Sequence, residues 1–478
     1  MKSKKNRSWL ALFVFIAIAF TQTGANPTGT PYQLVRIALS NYPTQMKQIH
    51  QMDLDVAGVD LNSKTVDLIV SEAQVKTLRT QGFNIIETKS KVSMTKPDNQ
   101  YQTPEKVIAL LKKYEATYPH LAKVYSAGKS MEGRDIAVIK LTSNVSQNNP
   151  AKPRIFFNGM HHAREVMSVE VPIDTINVLL TQYGHDAKVT HWLDSYEVWV
   201  MPMFNVDGNN VVWTKESMWR KNTHGGYGVD INRNYPYAWN SCNGSSSYQG
   251  AQDYHGESAG SEVETKVMMN LVKLIHPVFS ISYHSYSEIV IYPYGCEGQH
   301  VPNREVVEGI GSEMAALIVN DNQSGHYTAG TAPELLYSVD GGDIDWFYHE
   351  AQVIPYVIEV NSSGQGFQPS YSKWRESTVA RVRPAWQLLL NKMDGASIRG
   401  QVQDAQGNGI AHALVHLVRV SGGKKFTQDY PAQDNGYFNV ILPSGNYEVI
   451  ITAPGLKAKT QTVHVDNAPV MLQASLLK

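Results

Sequence analysis

Residues 154–169 read RIFFNGMHHAREVMSV, and the fold turns on how this stretch is understood. Ile155, Phe156 and Phe157 make a short apolar run that stops at Gly159, the pattern of a buried strand running into a turn. That turn carries His162, Arg164 and Glu165 together. An imidazole and a carboxylate spaced H-x-x-E can both reach one Zn²⁺ at about 2.0 to 2.2 Å, leaving room for a third protein ligand and an open position. Taken alone the spacing is weak, since sixteen histidines give about one chance occurrence. A polar surface turn is the competing reading, and the rest of the chain decides between the two.

Outward from this stretch, strand-like segments lie at 136–141 and 196–201, with a helical pattern at 169–182. Further apolar strands fall at 278–283, 289–292 and 354–360, separated by helical stretches such as 262–274. A helix at 103–118 opens the region, announced by Thr103, Pro104 and Glu105. This alternation predicts an α/β domain with a mixed or mainly parallel sheet over residues 99–393, whose ligands gather at the carboxyl ends of strands.

Beyond residue 391, segments 397–402, 413–420, 436–442, 447–453 and 460–465 alternate apolar and polar residues between Gly, Asn, Asp and Pro turns. They predict a small all-β sandwich at 396–478, in which His412, His416 and His464 are strand-face residues without ligand spacing. On the other side, residues 34–39, 44–52, 65–70, 72–81 and 83–86 alternate strand and helix patterns, a small α/β unit. The polar stretch 88–102 reads as an exposed, protease-accessible linker. Residues 26–98 are therefore expected to be a removable pro-domain, with a permanent accessory domain as the alternative. Lys2, Lys4, Lys5 and Arg7, an apolar run at 9–20 and the small residues Thr23, Gly24 and Ala25 predict a signal peptide at 1–25, and so a secreted or periplasmic product.

A chain of 478 residues with 42% hydrophobic content can bury a large core, and a formal net charge of -1 argues against nucleic-acid binding. No run after the leader is long and apolar enough to span a bilayer. Cys242 and Cys296 are compatible with one disulfide or with two free thiols, and neither sits in a thiol-chemistry motif. A monomer is expected.

Other segments supply chemistry at the ends of predicted strands. His284, in the SYHSY run, is the candidate third ligand. Glu359 closes an apolar strand, where a carboxylate is costly to desolvate unless it has a function or a partner, and a hydrolytic zinc site needs a general base. Arg164, Arg220 and Arg233 could hold an anion, because the planar fork of arginine suits bidentate binding of a carboxylate.

Taken together these residues resemble the zinc metallocarboxypeptidases of the carboxypeptidase A and T family. The resemblance covers nearly all of residues 99–393 and rests on HARE (162–165), MWRK (218–221), GVDINRN (228–234), HSYS (284–287), YPYG (292–295), Tyr337 with Gly341 and Gly342, DIDW (343–346) and Glu359. It implies an eight-stranded mixed sheet flanked by helices. It also implies Zn²⁺ held by His162, Glu165 and His284, with Glu359 as general base and acid and Arg220 stabilising the oxyanion. Asn232, Arg233 and Tyr337 would hold the substrate's terminal carboxylate, with Arg164 and Tyr286 as further substrate contacts and Asp230 orienting His162. Ile344 would face the terminal side chain and favour apolar termini, while Asp343 and Asp340 nearby would admit Lys or Arg. The last domain, with Gly400, Val402 and Asp404 at its start and PSGNY at 443–447, looks like the transthyretin-like sandwich appended to some carboxypeptidases. The expected substrate is the free C-terminus of a peptide. Rival readings are a zinc enzyme that cuts a γ-glutamyl or acyl-amino acid bond, and a non-catalytic protein that displays the sandwich.

Overall fold

The computed structural model describes residues 32–90, 96–421 and 424–477; the leader expected at 1–25 and residues 91–95 of the expected linker lie outside them. The first unit runs β1 (Gln33–Ala38), α1 (Tyr42–Gln51), β2 (Asp55–Asp60), β3 (Thr65–Val70), α2 (Glu72–Thr80) and β4 (Asn84–Ser90). Its four strands form an antiparallel sheet in the order β2-β3-β1-β4. Asn41 caps α1, and Ser71 with Gln74 closes a capping box on α2, so both helices start where a side chain satisfies an otherwise orphaned N–H. Their apolar faces, through Ile49 and Leu78, cover the sheet residues Val35, Ile37, Val66 and Leu68.

The central unit begins with α3 (Pro104–Thr117), β5 (Ala122–Lys129), β6 (Asp135–Leu141), β7 (Arg154–Gly159), α4 (Met167–Gln182), α5 (Ala187–Ser195), β8 (Glu197–Met201) and α6 (Val206–Thr214). It continues with α7 (Val263–Ile275), β9 (Phe279–Ser285), β10 (Ile289–Ile291), α8 (Arg304–Leu317), β11 (Thr328–Gly330), α9 (Ala332–Leu335), α10 (Asp343–Ala351), β12 (Ile354–Val360) and α11 (Tyr371–Lys392). The eight strands form one mixed sheet in the order β11-β10-β12-β9-β7-β8-β6-β5. Its middle strands β12, β9, β7 and β8 run parallel and are buried along nearly their whole length, which is why they read as continuous apolar runs. Helix α4 packs against the sheet on one side and α11 on the other, and is buried almost all round. Its acids Glu170 and Asp174 are tolerated there because Arg375 and the bidentate fork of Arg383 (2.7 and 2.8 Å to Asp174) neutralise them.

The last unit contains β13 (Ser397–Gln403), β14 (Leu414–Ser421), β15 (Lys424–Pro431), β16 (Tyr437–Ile441), β17 (Gly445–Thr452), β18 (Lys459–Val465) and β19 (Pro469–Ser475). Two sheets, β16-β13-β19 and β15-β14-β17-β18, enclose a shared core of residues such as Ile398, Val415, Leu417 and Val449. His416 and His464 lie on strands, but His412 occupies a left-handed turn before β14 and pairs with Asp434, a correction to its expected strand position. Strands β2, β5, β11, β15 and β19 were not anticipated by the alternation pattern. Among the described residues no helix is long and apolar enough to cross a membrane. Cys242 and Cys296 are joined, which closes the alternative of two free thiols.

Candidate functional site

The site lies at the carboxyl ends of β7, β9 and β12. Register sets its spacing: Gly159 pairs with Tyr283, and Glu359 pairs with His284. After β7 the chain turns through Met160, at φ 62°, into the segment carrying His162 and Glu165. The Ala163 N–H donates to the Arg220 carbonyl at 2.9 Å, tying that turn to the segment that supplies Arg220.

Three buried side chains converge. His162 Nδ1 lies 2.7 Å from Glu165 Oε1, His284 Nδ1 lies 3.1 Å from Glu165 Oε2, and the two Nδ1 atoms are 3.2 Å apart. Among the described residues this is the single set of three such groups able to hold a metal ion. The far nitrogens are already engaged, His162 Nε2 by Asp230 Oδ1 at 3.2 Å and His284 Nε2 by Ser282 Oγ at 3.3 Å. Both imidazoles are thereby turned so that Nδ1 faces the cluster, as a ligand histidine requires. Two nitrogens and a carboxylate in an open arrangement fit Zn²⁺.

Glu359 Oε2 is buried beside this cluster without a hydrogen-bond partner. Burial, and then the nearby Glu165 carboxylate, pushes its pKa up. Arg220 donates from Nε and Nη2 to Asp230 Oδ2 at 3.1 and 2.8 Å. Burial by itself would raise the Asp230 pKa, but Arg220 and His162 hold it well below the usual carboxylate range. Arg233 is held by two of its donors, with Nε on the Gly244 carbonyl at 3.2 Å and Nη1 on the Asn232 carbonyl at 2.8 Å.

His162, Glu165, His284, Glu359 and Arg220 share a cleft with Asn232, Arg233, Tyr286, Tyr337 and Ile344. Its inner wall is apolar, made by Ile291, Ala332, Leu336, Val339, Ile344 and Val357. Asp343 and Asp345 sit there too, in the first turn of α10, where a helix N-terminus favours negative charge. Asp343 accepts from the Ile344 N–H at 2.8 Å, and its Oδ2, without a hydrogen bond, lies 3.6 Å from His161 Nε2. Asp345 accepts from the Gly295 N–H, and burial raises its pKa to about 7. Sequence reasoning gave Asp345 no role, although it is the second acid of the DIDW motif. Asp340 departs from expectation. Its carboxylate turns away from the cleft to take hydrogen bonds from residues 241–245, so it is not one of the residues lining the pocket.

The first unit covers the cleft mouth. Arg164, 1% exposed, forms a bidentate pair with Asp55 (2.8 and 2.7 Å) and lies 4.3 Å from the Phe367 ring centre. Tyr286 donates to Asp67 at 3.1 Å, His50 stacks on Tyr337 with ring centres 5.0 Å apart, and the Val59 N–H donates to Ser287 Oγ at 3.0 Å. Gly58 meets Tyr286 so closely that a Cβ there would lie 2.6 Å from the ring.

Fold and site together define a class: residues 107–380 match the zinc carboxypeptidase family, and the chain belongs to it. Residues 397–476 match the carboxypeptidase regulatory-like domain. Zinc carboxypeptidase A 1 of Anopheles gambiae is 30% identical over 276 residues, which is 56% of this chain and 62% of that protein. Human carboxypeptidase B is 30% identical over 336 residues, 67% of this chain and 78% of that protein. The matched part spans less than two thirds of the Anopheles protein. The crystal structure of carboxypeptidase A from Helicoverpa armigera superposes with a TM-score of 0.65 at 20% identity, covering 76% of this chain and 97% of that one, a likeness of fold. Zinc is the metal of this family, and the His162, Glu165 and His284 cluster is built to take it.

Proposed function

We propose that this chain is a secreted or periplasmic zinc metallocarboxypeptidase, made as a zymogen, that removes single residues from the free C-termini of peptides. The observation that carries the reading is the position of Arg233 in the same cleft as the metal-ligating triad and Glu359. Two of its N–H donors are held by carbonyls and the remaining ones are available to a carboxylate, with Asn232 and Tyr337 beside it. An endopeptidase has no need of such a clamp.

Held by His162, Glu165 and His284, a zinc ion would supply Lewis-acid polarisation of the scissile carbonyl and would make the attacking water more acidic. Glu359 Oε2, unpartnered and with its proton affinity raised by burial, accepts a proton from the attacking water and returns it to the leaving amine. Arg220, oriented by Asp230, donates to the developing oxyanion, a contribution of about 2.7 to 4 kcal/mol for one well-placed donor. Asp230 also fixes the ring of His162. The apolar inner wall with Ile344 supports a preference for apolar terminal side chains, and Asp343 and Asp345 support acceptance of Lys or Arg as the minor class.

Zymogen character is supported by the contacts of the first unit, taken as a pro-domain of residues 26–98 followed by the catalytic domain at 99–393 and the sandwich at 396–478. Asp55 occupies Arg164, Asp67 holds Tyr286 and His50 covers Tyr337, so side chains expected to bind substrate are already engaged. Secretion rests on the leader-like order of residues 1–25.

The test is mass spectrometry of matched free-acid and amidated peptides incubated with the processed enzyme, with Arg233→Ala alongside. Free-acid peptides should lose one residue at a time and amidated ones should be poor substrates. Arg233→Ala should lower kcat/KM on free acids at least about tenfold, since a lost buried charge pair costs on the order of 2 to 5 kcal/mol. Internal cuts, or efficient cleavage of amides, would rule the reading out.

A further inference from the structure

Asp340 is fully buried, with 0% of its surface exposed, and among the described residues it has no ion-pair partner. A lone carboxylate in that position is costly unless hydrogen bonds satisfy it. One loop does so. The N–H groups of Ser241, Cys242 and Gly244 donate to Oδ2 at 3.1, 3.0 and 2.9 Å, and the Ser245 hydroxyl donates to Oδ1. The acceptor is 95 to 99 residues further along the chain than these four donors, so the contact is a stitch between separate loops and not a local turn.

The stitched loop carries the Gly244 carbonyl that takes Arg233 Nε. Gly244 has no space to move inward, because a Cβ there would lie 2.4 Å from the Asp340 nitrogen. Two further links close a triangle around Asp340: the Val339 N–H donates to the Gly295 carbonyl at 2.9 Å, and Cys296, next to Gly295, is joined to Cys242. Tyr337 stands three residues before Asp340 on the same connection. One carboxylate thus ties the loop that orients Arg233 to the loop that presents Tyr337.

We propose that Asp340 is a positioning residue for the terminal-carboxylate clamp: by gathering residues 241–245 it holds the Gly244 carbonyl against Arg233 and fixes the fork in its substrate-ready orientation. The inference rests on the reading of Arg233 as the clamp. A fork held in place before substrate arrives loses less freedom on binding, so the effect belongs in KM for substrates that carry the carboxylate.

The test uses the full chain after cleavage in segment 88–102, assayed on paired free-acid and amidated peptides. Asp340→Ala should raise KM on free acids about tenfold, leave kcat within about twofold and leave amidated peptides unchanged. Asp340→Asn should stay within about threefold of the parent, because its amide oxygen still accepts the three N–H groups. Gly244→Ala displaces the carbonyl by another route and should copy the Asp340→Ala signature, so it decides the matter if Asp340→Ala does not fold. Equal losses on free acids and amides, or an unchanged KM in both Gly244→Ala and Asp340→Ala, would overturn the proposal. Arg233→Ala separates the two ideas. If it leaves the discrimination between free acids and amides intact, the clamp itself is wrong; if it abolishes discrimination while the loop variants do not, only the role of Asp340 fails.

Discussion

The units at the two ends of the chain attach to the central unit at different places. The first unit meets the carboxyl ends of the strands through charged and polar side chains, Asp55 on Arg164, Asp67 on Tyr286 and His50 on Tyr337, and through apolar packing of Ala57 and Ile69 with Tyr286 and Phe367. The last unit meets the central unit away from the cleft. Gln433 approaches Arg154 at the start of β7, Gln352 donates to the Asp429 carbonyl, and Ile441 joins the apolar core of the central unit. A unit seated over the strand ends stands between the cleft and its substrate, whereas one attached away from the cleft does not. The first contact therefore suits a cover that must leave before substrate enters, and the second suits an attachment that can stay.

The largest expected effect comes from cutting segment 88–102. If the docked unit keeps about 1% of molecules open, release should raise turnover on a small peptide on the order of a hundredfold. Deleting residues 396–477 should change the same turnover by less than about twofold, because none of them lines the cleft. A comparison of the four rates breaks the contrast if the second change rivals the first.

Asp55→Ala sharpens it. Leaving the nearly buried Arg164 unpaired costs about 3 to 5 kcal/mol, so the uncut chain should show basal turnover raised at least about tenfold while the cut enzyme is unchanged. Unchanged basal turnover would mean that the pair does not hold the cover in place.

A pH effect should follow from two acid pairs across the same seam. Burial and Asp53 raise the Asp253 pKa to about 6, opposed by Arg233 and His50, with Asp230 adding to the rise. Burial, Asp321 and Asp60 raise Glu288 to about 7, opposed by the Asp321 N–H and Arg381. Acids whose pKa is higher in the docked state favour docking most at pH below their undocked values, and that support is lost as pH rises through about 6 to 7. Basal turnover of the uncut chain, normalised to the cut enzyme at each pH, should therefore rise by about two- to fivefold from pH 5 to pH 8. A flat or falling ratio would count against these pairs.

The smallest effect belongs to Arg419, whose link to the 65% exposed Glu305 joins the last unit to α8. Arg419→Ala should cost less than about 1 kcal/mol by denaturant titration and leave turnover untouched.

The buried middle of the large sheet was legible because parallel strands covered on both faces read as apolar runs, and the site was legible because its residues stand where those runs stop. The strands that escaped, β2, β5, β11, β15 and β19, are all edge strands of their sheets. An edge strand has a partner on one side only and can be polar or short, as KKFTQDYP in β15 and TAG in β11 are, so it lacks the periodic signal. Asp340 misled for another reason. Its place in sequence beside Gly341, Gly342 and Asp343 suggested the pocket, but the direction of its carboxylate is set by donors almost a hundred residues away. Asp55 carried no signal, since nothing in DVAGVD says what lies opposite.

The pairing of Glu359 with His284 across β12 and β9 has a further consequence. Their separation is counted in rungs of a ladder, each residue adding about 3.3 Å and reversing the side-chain direction. The spacing of these two side chains is consequently a digital quantity. Substitutions nearby can tilt or crowd the two side chains, but a one-residue insertion in either strand would send one of them to the opposite face, with no intermediate geometry through which the site could drift.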